Sequence, residues 1–197
     1  MPNKVEDQAL WGRLLRPLVV VLGLGICVTS GLAAWQCAAP LSAPALFPFA
    51  QTWYARARAS VTPAEGIDDA QKATKLAPAH AENWMMLAYQ YSRADRGVSP
   101  RVIAAVRQSY TASPLDVDVS LYRLSFIFYA WSALPQDVRD LARNEAREFG
   151  QTTDGQNFLN ANVRTIADDR GRLEFAIITM IAHYQWDGMN QKYQKNR

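Results

Sequence analysis

The side chains able to carry acid–base, nucleophilic or metal chemistry are few in this chain, and they stand apart. Its two histidines, His80 and His183, fall in different halves of the sequence. Neither is read as having a partner at metal-ligand or catalytic spacing, so both read as surface or half-buried side chains. Two acidic pairs, Asp68-Asp69 and Asp168-Asp169, hold carboxylates close enough for paired acid–base work. Both fall near predicted helix ends, where a carboxylate favours the positive end of the helix dipole or caps its free N–H groups. There is no G-x-S-x-G, no P-loop and no G-x-G-x-x-G between a strand and a helix, and Gly23-Leu24-Gly25 sits inside an apolar run. Cys27 and Cys37 are the only cysteines, which excludes disulfide staples and cysteine zinc sites from the rest of the chain. The expectation is a non-enzymatic protein with no catalytic residue, no metal site and no cofactor.

The cysteines belong to the first element the sequence defines. Leu18 to Trp35 reads LVVVLGLGICVTSGLAAW, eighteen residues without a charge, between Pro17 and Pro40. The positions between the two prolines give about 33 Å of helix at 1.5 Å per residue, enough for a hydrocarbon core of about 30 Å. Residues 17–39 are therefore predicted to be a transmembrane helix and residues 1–16 a tail. Lys4, Arg13 and Arg16 precede the span and the first basic residue after it is Arg56, which places the N-terminus in the cytoplasm and the C-terminal domain outside. A cleaved signal peptide is the competing reading, because Ala43-Pro44-Ala45 resembles a small-x-small site; the long tail and long apolar run favour the span. Pro40, Pro44 and Pro48 then predict an extended, stiff linker over residues 40–48 that holds the domain just off the membrane.

The rest of the chain reads as helix throughout, with apolar residues at three- and four-residue steps and no sustained alternation. The fold class is all-α. Its 197 residues carry 21 basic and 18 acidic side chains with no run of like charge, too little excess for a nucleic-acid partner. Two more apolar runs, Val119–Leu134 and Phe175–Ala182, are read as buried helices, because Arg123 interrupts the first and the second is too short to cross a bilayer.

Between Gly66 and Pro114 the residues follow a pattern. Pro78 closes one helix, Trp84 follows it, and Leu87, Ala88 and Tyr91 take large, small and aromatic positions; Ala73 before Pro78 and Ser109 before Pro114 are small where paired helices would touch. This resembles the tetratricopeptide repeat, a helix-turn-helix unit of about 34 residues. A third unit can be drawn with Leu121, Leu124, Ser125 and Phe128 and a helix from Pro135 to Phe149. A C-terminal pair carries Leu159, Val163 and Ile166 on one face and Leu173, Ala176, Ile177 and Met180 on the next. The resemblance implies a short solenoid of about three helix pairs with C-terminal capping helices over residues 49–190, followed by a basic, frayed tail at 191–197.

The same resemblance places Met85, Tyr89 and Ser92, then Tyr122, Phe126 and Tyr129, on a concave partner-binding groove. In the span, Gly23, Cys27 and Gly31 form a stripe of small residues that allows a second membrane helix to approach closely. The expected function is a scaffold or assembly factor for an envelope complex, anchored in the inner (cytoplasmic) membrane with its domain in the periplasm and binding a membrane-associated protein partner. A permanent accessory subunit of a larger membrane complex is the alternative, and bacterial proteins of this appearance also serve cell-surface polysaccharide export.

Overall fold

The computed structural model describes residues 4–42, 46–47 and 49–195. The described residues are helical, with no strand among them. Among the described residues nine α-helices run in chain order: α1 (Lys4–Ala38), α2 (Ala50–Ala59), α3 (Pro63–Leu76), α4 (Ala81–Asp95), α5 (Pro100–Ala112), α6 (Val117–Tyr129), α7 (Gln136–Phe149), α8 (Thr153–Asn162) and α9 (Asp169–Lys195). One turn of 3₁₀ helix, Trp131–Ala133, links α6 to α7.

The helix starts are written locally. Thr62 and Ser99 accept the Glu65 and Val102 N–H groups, and Pro63 and Pro100 occupy the first helical positions, where a missing N–H removes nothing. At the end of α4, Arg96 takes a left-handed conformation (φ 55°), which turns the chain into α5. Helices α2, α3 and α4 each pack on the next in sequence, as α6 does on α7. Helix α2 also touches α4, α4 touches α6 and α5 touches α7, so that α2, α4 and α6 form one layer. The α8 and α9 helices close the far end against α7 and α6. One continuous core runs through this stack, including Leu87, Val106, Leu124, Phe128 and Phe149.

Helix α1 contains a segment, Val21–Ala38, long and apolar enough to cross a membrane, and it lies almost wholly outside the packed domain. It departs from expectation at its start. The helix opens at Lys4 and continues through Pro17, because the preceding residues are good helix formers and one proline removes a single backbone hydrogen bond. Gly23, Cys27 and Gly31 are exposed, with open space beyond both glycines.

The linker also differs from expectation. Residues 43–45 and 48, with Ala43-Pro44-Ala45 and Pro48, lie outside the described residues, but the chain on either side does not extend away from α1. The Gln36 carboxamide donates to the Phe47 carbonyl (2.7 Å) and to Thr52 Oγ1 (3.0 Å), and accepts the Phe47 N–H (2.9 Å). With Gln36 and Thr52 buried, the first turn of α2 is fastened at the level of the last turn of the apolar helix. A buried amide must find partners, and here they come from the chain returning.

Three further corrections concern faces and ends. Asp68-Asp69 do not cap a helix: they lie in the middle of α3 and pair with Lys72. The inward face of α9 is Gly171, Phe175, Ile178 and Ala182, whereas Leu173 (64% exposed), Ile177 and Met180 (67% exposed) face outward. Gly171 sets this register, since a Cβ there would stand 2.2 Å from the Phe128 carbonyl oxygen. Phe175 then meets the Phe128 ring edge-on at 4.9 Å. Finally, α9 runs through residue 195, so the backbone of the expected tail is helical there.

Candidate functional site

The layer of α2, α4 and α6 carries a cleft of about 480 Å³ lined by Tyr54, Arg58, Met86, Tyr89 and Tyr122. Tyr54 and Arg58 stand one turn apart on α2, Met86 and Tyr89 come from α4, and Tyr122 from α6. The Tyr89 and Tyr122 rings meet edge-on, with centroids 6.4 Å apart, yet remain 38% and 39% exposed. Burial pushes the pKa of the Tyr122 hydroxyl up, with Tyr89 and Tyr54 adding to the shift. Burial and then Glu82 do the same at Tyr54. These phenols stay protonated and offer O–H donors at neutral pH. Arg93 sits beside the cleft, its guanidinium 5.9 Å from the Tyr89 centroid and bonded to the Ser60 and Val61 carbonyls. No carboxylate is among the lining residues, so the surface presents aromatic area, hydroxyl donors and positive charge.

Of the expected groove residues, the fold brings Tyr89 and Tyr122 together. Met85 is fully buried in the core; Met86, one residue and about 100° further round the helix, takes the lining position. Ser92 turns its hydroxyl onto the Tyr89 carbonyl. Phe126 is half-buried against the core, and Tyr129 lines a separate cavity of about 90 Å³ with Phe158 and Phe175. Tyr54 and Arg58 escaped the sequence reading. Their one-turn spacing on α2 was the available signal.

A buried polar cluster was also missed. Arg123 and Glu145 are wholly inside. The guanidinium donates to both Glu145 oxygens and to the Ser109, Ser113 and Pro114 carbonyls. Glu145 also accepts from Tyr110 (2.7 Å) and Ser120 (2.6 Å), and burial followed by Glu145 pushes the Tyr110 pKa up. With its donors engaged, this network ties α5, α6 and α7 together.

Asp168 caps α9, accepting the Gly171 N–H (2.8 Å) and the Ser132 N–H and hydroxyl (2.9 and 3.0 Å). His183 does have a neighbour, Asp187, at 3.4 Å, but both are well exposed. His80 is exposed at the start of α4. Among the described residues no three His, Cys, Asp or Glu side chains converge as metal ligands. The chain matches no family model, and no curated protein and no solved structure gives a significant match.

Proposed function

We propose that this chain is a membrane-tethered interaction module, with α1 crossing the inner membrane from a cytoplasmic N-terminus and a tetratricopeptide-like solenoid docking a partner protein outside. The observation that carries the reading is the cleft on α2, α4 and α6, where two half-exposed tyrosine rings and an arginine converge without a carboxylate in the lining. Rings of this kind supply contact area at low entropic cost and dominate binding energy when covered. The repeat reading is supported by the layered contacts of α2 to α7, by complete burial of Ala73 and Ser109 at the close-contact positions, and by the Trp84 indole N–H held on the Pro78 carbonyl at 2.8 Å. The role that fits is a scaffold or assembly factor for an envelope complex, polysaccharide export among the candidates.

The test is photo-crosslinking in cells from position 122, followed by the affinity of the captured partner for wild type and Tyr122→Ala. The expected result is a loss of about thirtyfold with an unchanged melting temperature. Undiminished affinity would remove the cleft from the partner interface.

A second reading, a permanent accessory subunit, is favoured by a different observation. Leu173, Ile177, Met180 and Tyr184 form an exposed apolar row along α9, of a kind a constitutive partner would cover. Stoichiometric co-purification in mild detergent would support it.

A further inference from the structure

A second cleft, of about 610 Å³, opens at the foot of α1, between residues 38–42 on one side and Tyr54 and Arg58 of α2 on the other. We propose that it takes the headgroup and upper acyl chains of an anionic phospholipid, so that the helical domain lies on the bilayer; this rests on the membrane-crossing reading of α1. The argument is one of level. Residues 18–38 are helical and carry no charge, about 32 Å and the full hydrocarbon thickness, so Ala38 reaches the hydrocarbon edge. Gln36, within the last turn of that segment, holds Phe47 and Thr52 by three hydrogen bonds. The first turn of α2 therefore begins at the hydrocarbon edge, and the cleft beside it opens among headgroups.

Its chemistry suits that depth. Trp35 is about half exposed and Leu41 is 61% exposed, an interfacial aromatic and an aliphatic side chain that water disfavours and the acyl boundary accepts. Arg58 is exposed on the rim and makes no ion pair or side-chain hydrogen bond among the described residues. A guanidinium binds phosphate through paired N–H donors. Glu82 is not among the residues lining this cleft; it acts on the Tyr54 hydroxyl, whose pKa it helps to raise.

The experiment uses the full chain in nanodiscs, with Cys27 and Cys37 changed to Ser and one nitroxide at Leu41→Cys, Val28→Cys or Asp154→Cys. Labels at positions 28 and 41 are expected to be reached by oxygen and shielded from an aqueous nickel chelate, with the opposite at 154. In discs of mixed phosphatidylcholine and phosphatidylglycerol, native mass spectrometry should find phosphatidylglycerol retained preferentially. Arg58→Gln should lower that preference about fivefold, and Arg58→Lys should keep most of it. A label at 41 reached by the chelate while that at 28 stays in lipid overturns this proposal and leaves the anchor standing; a label at 28 reached by the chelate removes both. Shielding of 41 from both reagents assigns the cleft to a second copy of the chain and overturns the proposal, as does an unchanged lipid preference in Arg58→Gln.

Discussion

At the scale of single residues, the groups that look most chemical in this protein hold it together. Arg123 and Glu145 lie 22 positions apart in sequence and share three hydrogen bonds in the interior. Removing one partner strands the other charge away from water, so Arg123→Met is expected to destabilise the domain by about 3–5 kcal/mol in urea titration. In the sequence Arg123 is legible only as a charge that forbids a membrane span, because its partner is chosen by long-range packing rather than by local spacing. Asp168 could be read, since a carboxylate at a helix start has a local purpose. Burial would raise its pKa, but the Gly171 and Ser132 N–H groups outweigh burial and hold it below the usual carboxylate range. A carboxyl with a depressed folded pKa stabilises the fold above its unfolded value of about 4 and loses that contribution as pH falls through the folded value. The melting-temperature gap between wild type and Asp168→Asn should accordingly be full at neutral pH and shrink below about pH 4.

At the scale of helices, small residues decide how elements approach. Gly171 and Gly188 both lie on α9, but a Cβ at 171 would strike the Phe128 carbonyl whereas one at 188 meets nothing within 4 Å. Gly171→Ala should therefore overpack the α6–α9 junction and cost about 1–3 kcal/mol, while Gly188→Ala should raise stability by up to about 1 kcal/mol through helix propensity alone. Thermal melts of the two variants separate close packing from propensity. On α3, Ala73→Phe is expected to overpack the fully buried contact with α4 by a comparable amount, about 1–3 kcal/mol. Helix existence was legible after the linker, because apolar residues at three- and four-residue steps are a local signal. The rotation of α9 was not. Leu173, Ile177 and Met180 offer as good an apolar stripe as Phe175, Ile178 and Ala182, and only the clash geometry at Gly171 chooses between them.

At the scale of the whole chain, the cleft was half legible. Tyr89 and Tyr122 were expected on one face from the resemblance to the repeat, but Tyr54 and Arg58 enter because α2 packs on α3 and α4 to complete the layer, while Gln36 ties its first turn to α1. An amide in an apolar run carries no sign in sequence of what it will bind. The three hydrogen bonds of Gln36 also have a mechanical consequence. They fasten the first turn of α2 to the end of α1, so that, with α1 crossing a membrane as proposed, turning α1 about its axis would sweep the tyrosine cleft around the membrane normal with it. Inserting one alanine between Gly25 and Ile26 should offset Gly23 from Cys27 and the Gln36 latch by about 100°, and inserting a full turn of about four residues should nearly restore the phase. If a neighbouring membrane helix grips α1 near Gly23, crosslinking from position 122 should fail in the first variant and return in the second, with both domains equally stable. The bearing of the cleft would then be set by torsion within the bilayer, by residues that never touch the bound partner.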